Sequence, residues 1–267
     1  MLFNGDKLYM YSSMTPMQSM GFIMAGGGVV IGIDSATRGE ADNIEKTILS
    51  QGGVVNHWFF THAHTDHIEG FSEIMRRENV RVENVSFCFP SYKYIMRVEN
   101  NNERQSKAYH DFFEAIERHN IRVVPPAKGE EIKVGHFRVT PLSDGSAVGE
   151  RLNSSSVVYR VDTRGESVLY LGDMDWVAED KILEEFPDKI KCPVVQVAHH
   201  GQHGVTEKFY KVVQPKVALW CTPLWLWNND VGTGFNKGPF ATLETREWLS
   251  KLGTVNYRFE QDITVLE

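Results

Sequence analysis

The sequence predicts a mixed α/β protein of the α+β kind, in which two β-sheets pack face to face with helices outside, a four-layer αββα sandwich. Two observations lead to this fold class. Apolar runs of strand length alternate with segments whose apolar residues recur at helical spacing. Strands predominate in the middle of each half of the chain, and helices flank them. Stacked sheets with outer helices let elements of both kinds bury their apolar faces.

The first half of the chain begins with strands and continues with alternating helices and strands. The pattern predicts strands over 7–14, 18–25, 29–33, 54–61 and 85–89, and helices over 40–51, 68–78 and 104–119. Gly52 and Gly53 end the first of these helices as a C-terminal cap would. The last helix carries its apolar residues on one stripe, as expected of a helix that packs on a sheet.

The second half repeats this alternation. The pattern predicts strands over 132–134, 137–142, 157–161, 167–171, 194–198 and 217–221, helices over 177–186, 207–213 and 241–252, and further strands at the end. The glycine-rich points are short turns, and no stretch rich in proline, glycine or serine is long enough to link two domains. We therefore expect one domain over residues 1–267.

Composition restricts the possible functions. The 267 residues are 42% hydrophobic and 24% charged, as in an ordinary globular protein. The net charge of −7 gives no basic footprint for double-stranded nucleic acid. No apolar run approaches the roughly 18 to 20 residues of a membrane span, and the three cysteines form no C-x-x-C pair, which favours buried free thiols. The expectation is a cytoplasmic protein that does not act in a membrane, unless a leader has been removed.

Segment 61–67 concentrates the residues that carry chemistry. It reads Thr-His-Ala-His-Thr-Asp-His and lies between a predicted strand and a predicted helix. A tight loop between rigid elements can direct several side chains to one place. Imidazole and carboxylate groups are the ligands preferred by Zn²⁺ and similar divalent ions, and a catalytic site keeps one coordination position open. The alternative is a solvated polar loop without a metal.

Later landmarks follow this cluster in a recognisable order. Gly172-Asp173 ends one predicted strand, and His199-His200-Gly201 ends another. Together with the cluster they resemble the signature of the metallo-β-lactamase-fold hydrolases. Asn153-x-x-Ser156 before a strand, with the double histidine, is similar to the hydrolase domain of ComEC-type bacterial DNA-uptake proteins. This similarity extends over roughly residues 9–265 and implies the metallo-β-lactamase fold.

The resemblance also implies roles for individual residues. His62 and His64 would hold one metal ion, Asp66 and His67 a second, and Asp173 would bridge them, since its two oxygens can each face a different cation. The implied cofactor is one or two divalent ions, most simply zinc, with manganese or iron as alternatives. The full set of candidate ligands is His62, His64, Asp66, His67, Asp173, His199 and His200, and the candidate catalytic residues are Asp66 and His200.

The two adjacent late histidines compete for the final ligand position. Successive residues of a regular strand face opposite sides, so only one of the pair can then point at the metals. His199 shares parity with Val195 and Val197, which favours it over His200. The other histidine would support the ligand or face the substrate.

One feature departs from the family pattern. Many relatives place a further metal histidine before the strand predicted over 157–161, where this chain has Leu152-Asn153-Ser154-Ser155-Ser156. We therefore expect the first metal to lack one protein ligand, with Asn153 or water in its place. His110, His119 and His136 lie on a helix, at its end and in a turn, and are poor substitutes. Asp34 resembles the family's aspartate below the metals, with a role in orienting the loop.

These features predict a metal-dependent hydrolase that uses a metal-activated water. Asp66 could accept a proton or orient that water. The resemblance to ComEC-type domains, a branch linked with cleavage of nucleic acids and phosphorylcholine esters, favours a phosphodiester or phosphoester substrate that is small or single-stranded. The alternatives are a hydrolase of carboxylic esters, thioesters or lactams, and a non-catalytic metal-binding or redox protein on the same scaffold, because fold alone does not select among them.

Overall fold

The computed structural model describes residues 2–12, 16–146, 151–258 and 264–267. The helices are α1 (Ala41–Ser50), α2 (Thr65–Arg77), α3 (Tyr92–Val98), α4 (Glu103–Arg118), α5 (Trp176–Glu185), α6 (Glu207–Val213), α7 (Leu224–Trp227) and α8 (Thr242–Lys251). The strands are β1 (Lys7–Tyr11), β2 (Gly21–Gly26), β3 (Val29–Ser35), β4 (Val54–Val55), β5 (His57–Phe59), β6 (Arg81–Val82), β7 (Asn84–Ser86), β8 (Arg122–Val123), β9 (Ile132–Val134), β10 (Phe137–Pro141), β11 (Tyr159–Asp162), β12 (Val168–Tyr170), β13 (Val194–Gln196), β14 (Val217–Trp220), β15 (Val255–Arg258) and β16 (Thr264–Leu266).

The strands form two seven-stranded sheets of related design. The first has the order β16-β1-β2-β3-β5-β7-β8 and the second β15-β14-β13-β12-β11-β10-β9. Each sheet contains antiparallel hairpin strands and then parallel strands, from β3 to β8 in the first and from β12 to β15 in the second. Parallel strands present their carboxyl ends at the same edge, where the loops after them can meet.

Three apolar layers confirm the four-layer αββα sandwich. Alternate residues of β2 face opposite sides: Phe22 and Met24 contact the second sheet, whereas Ile23 packs under the outer helices. The layer between the sheets joins β1, β2, β3 and β5 to β10, β11, β12 and β14. The outer layers place α1, α2 and α4 on the first sheet and α5, α6 and α8 on the second.

The structure differs from the sequence-based expectation in several elements. Helix α2 begins at Thr65 rather than at residue 68, and β13 ends at Gln196 rather than at residue 198. Helices α3 and α7 were not predicted. The strand predicted over 54–61 is divided into β4 and β5, and the end of the strand predicted over 7–14 lies partly outside the described residues.

Two expectations from composition can be compared directly with the structure. None of the helices in the described parts of the chain combines the length and apolar character needed to cross a membrane. All three cysteines are free: Cys192 and Cys221 are buried, as expected, whereas Cys88 is half-buried.

Candidate metal centre

The histidine cluster follows β5 and is fixed from below by Asp34. One carboxylate oxygen of Asp34 accepts a hydrogen bond from the Thr61 backbone N–H, and the other accepts one from the Thr61 hydroxyl, both at 2.8 Å. The second oxygen also lies 2.8 Å from Nδ1 of His67. Asp34 thus connects both ends of the cluster and orients the loop, as the family resemblance implies.

Helix α2 carries the second half of the cluster. Because α2 begins at Thr65, Asp66 and His67 lie on its first turn, where the helix dipole stabilises a carboxylate. Gly70 lets the helix approach the end of β3 closely, since a Cβ at this position would stand 1.9 Å from the backbone oxygen of Ser35. The approach holds His67 directly above Asp34.

Asp173 reaches the cluster from the second sheet. It follows β12 after Gly172, whose φ of +55° and close approach to the Thr61 side chain leave no room for a Cβ. The buried amide of Gln196 holds this turn: its oxygen accepts the Leu171 and Gly172 N–H groups, each at 2.7 Å, and its nitrogen donates to the Gly172 oxygen at 3.0 Å. Both sheets therefore contribute to the centre through firmly hydrogen-bonded turns.

Both late histidines face Asp173. Because β13 ends at Gln196, the alternation of a strand does not apply to them; they lie in a short 3₁₀ turn with φ values of +50° for His199 and +53° for His200. Nε2 of His199 lies 3.8 Å from Oδ2 of Asp173, and Nε2 of His200 lies 3.7 Å from the same oxygen. The condition behind the preference for His199, a regular strand, is not met.

The candidate ligands form two groups that share Asp173. In the first group, donor atoms of His62, His64 and Asp173 lie within 4.8 Å of one another. In the second group, donor atoms of Asp66, His67, Asp173 and His200 lie within the same distance of one another. His199 is beside Asp173 but belongs to neither compact group. All the ligand candidates predicted from the sequence are therefore brought together, in an arrangement with places for two ions.

Proton positions in the first group leave two nitrogen lone pairs facing each other. The Thr61 hydroxyl donates to Asp34, so its oxygen accepts from Nδ1–H of His62 at 3.1 Å and leaves Nε2 of His62 unprotonated. The Glu99 carboxylate accepts from Nε2–H of His64 at 3.0 Å and leaves Nδ1 unprotonated. These two nitrogens are 2.9 Å apart. Two acceptors at this distance are stabilised by a shared cation, so the group fits a metal ion.

The second group contains buried polar atoms without partners. Within the described parts of the chain, Nε2 of His67 and Oδ1 of Asp173 are both buried without a hydrogen bond, although they lie only 3.3 Å apart. His200 directs Nδ1 to the Cys221 oxygen at 2.6 Å and Nε2 to Asp66 Oδ2 at 3.1 Å. Unsatisfied buried groups are costly and call for an unseen partner, and a divalent ion would supply one for both atoms.

The electrostatics of the second group favour a positive charge. Burial alone would lower the pKa of His67, but the carboxylates of Asp173, Asp34 and Asp66 raise it well above its usual value. The pKa of His200 is raised in the same way, against burial, by Asp173 and Asp66. Burial would raise the pKa of Asp66, but His67 and His200 hold it below its usual value. A cation at this place is stabilised by the same carboxylates.

Two further histidines of the centre, His62 and His199, are held neutral. Burial lowers the pKa of His62 well below its usual value, and the neighbouring His67 and His64 add to the effect. Burial also lowers the pKa of His199. Neutral imidazole is the form that binds metals, so both side chains can act as ligands at neutral pH without losing a proton.

Asn153 lies beside His199, in the loop where the family resemblance implies a further histidine. Its side-chain nitrogen is 3.0 Å from Nε2 of His199, and its side-chain oxygen is buried without a hydrogen-bond partner among the residues that the structure describes. By contrast, His136 contacts Asp6 at 2.9 Å, His110 packs on Tyr92, and neither joins the groups of donor atoms. Asn153 therefore contacts the centre through His199.

Sequence reasoning missed two residues that hold the centre. Gln196 was a detectable signal, because a buried amide inside an apolar strand needs hydrogen-bond partners. Glu99 gave no comparable signal, since it meets His64 only through a tertiary contact across 35 positions of the chain.

The family comparison agrees with this geometry. Residues 46–206, more than half of the chain, match the family described as "Beta-lactamase superfamily domain". Among curated proteins, the ComE operon protein 3 of Bacillus subtilis (strain 168) is 28% identical over 160 residues, which are 60% of this chain and 19% of that protein. The match therefore covers a small part of a much longer relative.

Solved structures show the same fold at low sequence identity. The metallo-β-lactamase fold protein YhfI from Bacillus subtilis has a TM-score of 0.60 and 10% identity, covering 97% of this chain and 99% of that one. Igni18, a metallo hydrolase from Ignicoccus hospitalis KIN4/I, has a TM-score of 0.51 and 14% identity, covering 98% and 99%. CmlA, a diiron β-hydroxylase from Streptomyces venezuelae, has a TM-score of 0.59 and 13% identity, covering 98% of this chain and 54% of that one.

The relatives in this fold differ in their chemistry, so the likeness of structure defines the architecture alone. The matched family, the layered architecture and the paired donor groups nevertheless agree with one another. The chain belongs to the β-lactamase superfamily domain family and has the metallo-β-lactamase fold.

Proposed function

We propose that this protein is a metal-dependent phosphoester hydrolase. The observation that carries the proposal is the pair of donor groups sharing Asp173, which fits two neighbouring divalent ions. Such a pair is well suited to phosphoryl groups, whose several oxygens can contact both ions during displacement. Zinc is the simplest choice for a histidine-rich set, with manganese and iron as alternatives. Bound divalent ions supply an acidified water and stabilise negative charge that develops on the phosphoryl oxygens.

The exposure of the donor side chains indicates the side from which substrate approaches. His62, His67 and His200 are fully buried, whereas His64, Asp66 and His199 retain between 18% and 20% of their side-chain surface. The buried residues would hold the ions, and the partly exposed ones face the opening. Asp66 remains ionised and paired with His200, which suits metal binding better than the proton-accepting role considered from the sequence.

An exposed cationic group two residues from Asn153 supports the proposal of an anionic substrate. Arg151 precedes Asn153 by two residues and stacks over the ring of Trp176 at 4.7 Å. Ser154 donates a hydrogen bond to Asp175 at 2.9 Å. This bond links the segment that contains Arg151 to the segment that contains Trp176, close to Asp173 in the sequence. A guanidinium in this place can pair with a phosphate of the substrate. The overall charge of −7 favours a small or single-stranded phosphoester over duplex nucleic acid.

The test is a substrate panel on protein with a known metal content. Protein stripped with a chelator and reloaded separately with Zn²⁺ and Mn²⁺ is assayed on bis(p-nitrophenyl) phosphate, a single-stranded and a duplex oligonucleotide, a thioester and a cephalosporin. We expect metal-dependent cleavage of bis(p-nitrophenyl) phosphate and of the single-stranded oligonucleotide. Turnover of only the thioester or the cephalosporin would establish a different hydrolase, and full metal loading without turnover of any of these would indicate a binding module.

A further inference from the structure

Glu99 makes a contact with the metal centre that the proposed function does not use. Its Oε1 lies 3.0 Å from Nε2 of His64, on the opposite side of the ring from the Nδ1 atom that faces His62. The side chain of Glu99 keeps 25% of its surface exposed, and that of His64 keeps 20%. The contact therefore lies at the rim of the centre.

The contact determines which nitrogen of His64 is free to bind. A carboxylate only accepts hydrogen bonds, so the proton of neutral His64 is placed on Nε2, and Nδ1 keeps its lone pair. That lone pair points to the place where Nε2 of His62 also presents one. A neutral histidine without this partner divides its proton between both nitrogens and can rotate, and either change removes Nδ1 from the metal position.

The backbone of Glu99 is attached to the end of α3 by a hydrogen bond. It directly follows α3, and its backbone N–H bonds to the oxygen of Ile95. Helix α3 packs Ile95 and Met96 against Ala63, in the middle of the histidine cluster, and against Leu152, beside Asn153. Gln105 of α4 donates to the oxygen of Ala63 at 2.5 Å. The α3–α4 connection is therefore attached directly to the backbone of the loop that it supports.

We propose that Glu99 is a positioning residue that fixes the His64 ring and proton so that Nδ1 is presented to the first metal ion. This support matters most at the first position, because the loop over 152–156 contributes no histidine there. The second group has its own fixed partners, with Asp34 on His67 and the Cys221 oxygen on His200. The proposal rests on the metal centre of the proposed function but not on the identity of the substrate.

The variants are Glu99→Leu, which removes the acceptor, and Glu99→Gln, which keeps an acceptor but removes the charge. Glu103→Gln, an exposed carboxyl nearby on α4, controls for the loss of one negative charge. Stripped proteins are titrated with Zn²⁺ against a competing chelator. Glu99→Leu should weaken one of the two ions by about 10- to 100-fold and leave the other within about threefold, with Glu99→Gln between wild type and Glu99→Leu. Glu103→Gln should match the wild type.

The second readout is the tautomer of His64 in metal-free protein. Imidazole ¹⁵N–¹H spectra at about pH 8, where an ordinary histidine is neutral, should show the His64 proton on Nε2 in wild type and on both nitrogens in Glu99→Leu, with the signal assigned by its absence in His64→Asn. An unchanged tautomer, equal weakening of both ions or unchanged affinities would each overturn the proposal. If Glu99→Leu does not fold, Glu99→Ala, which also removes the acceptor, is judged by the same criteria. Wild type that binds two ions but cleaves no phosphoester would refute only the proposed function.

Discussion

Asp173 is the residue on which the centre depends most, because it alone belongs to both groups of donor atoms. Its Oδ1 lies 3.3 Å from Nε2 of His67, and its Oδ2 lies 3.9 Å from Nε2 of His62 and 3.7 Å from Nε2 of His200. Burial would raise the pKa of Asp173, but His67, His200 and His199 hold it well below its usual value. The carboxylate is therefore charged at all physiological pH values and available to both ions.

Replacing Asp173 with alanine should remove a ligand from both ions. We expect activity to fall by at least about a hundredfold, as is usual when a catalytic metal centre is disrupted, and metal content to fall for both ions. His119→Ala, a histidine at the end of α4 away from the donor groups, is the matched control and should keep its metal. Elemental analysis of both proteins with rate measurements tests this; equal metal loss in the two variants would refute the assignment.

Asn153 offers a second test at single-residue scale. The family resemblance implies a histidine in this loop, where this chain has an amide instead, so the first ion should bind more weakly than the second. Mild chelation should then release one equivalent before the other. Asn153→His should tighten the weaker ion, since neutral imidazole is a better ligand than an amide oxygen. Calorimetric titration gives both affinities, and two equal affinities that the substitution leaves unmoved would show that another residue completes the site.

At the scale of elements, the close packing of α2 on the end of β3 determines the distance between His67 and Asp34. The approach depends on Gly70, where an added Cβ would meet the Ser35 backbone oxygen at 1.9 Å. The clashing atom is backbone and cannot rotate away. Ser35 also donates from its hydroxyl to the His67 oxygen at 2.9 Å, so displacement of the helix affects this contact as well.

Gly70→Ala should therefore destabilise the protein and loosen the second metal position. Overpacking typically costs about 1–3 kcal/mol, and the better helix propensity of alanine recovers at most about 1 kcal/mol. Urea unfolding measures the loss, and chelator titration of the folded variant measures the metal. Ser72→Ala, two residues along the same helix, adds no atoms and is the control. A Gly70→Ala protein as stable as wild type would mean that α2 packs less closely than the structure shows.

Long elements with a clear period were predictable from the sequence. Apolar periodicity correctly located the helices near 104–119 and 207–213 and the strands of the second half. The spacing of apolar residues in the sequence indicates which face of each element is buried. The candidate donor residues were named from the density of the histidine cluster and from the family resemblance, and the structure brings them together. The sequence therefore contained most of the layered fold and the candidate donor residues.

Features that depend on tertiary contacts were not predictable. Helix α3 is short, and it supports the centre only through the packing of Ile95 and Met96 against Ala63. The contact of Glu99 with His64 exists only through that packing. The orientation of His199 and His200 followed from where β13 ends, and a shift of two residues there replaces strand alternation with left-handed backbone. The apolar period of a segment does not determine the residue at which its helix or strand ends.

At the scale of the whole molecule, the buried charges of the centre link folding to pH. In metal-free protein the pKa values of His67 and His200 are raised by their carboxylates. A raised folded-state pKa contributes stability that is complete below the unfolded value of about 6.5 and is lost as the pH rises through the folded value. Bound metal takes the place of these protons, so the dependence should disappear on loading.

Stripped protein should consequently become less stable as the pH rises above about 7, by up to about 1.4 kcal/mol per pH unit for each proton released. Metal-loaded protein should change little over the same range. Urea unfolding at several pH values, with and without metal, measures both slopes. His67→Gln, which removes one of the titrating groups, should flatten the slope of the stripped protein. A stripped protein whose stability rises with pH would show that the centre does not hold protons in place of metal.

The central proposal is that this chain holds two divalent ions that share Asp173. Anomalous diffraction at the absorption edge of the loaded metal tests it most directly, because it gives the number and positions of the ions without reference to activity. The account predicts two peaks, one contacting His62 and His64 and one contacting Asp66, His67 and His200, with Asp173 contacting both. A single peak away from Asp173, or none in protein loaded with excess metal, would contradict it.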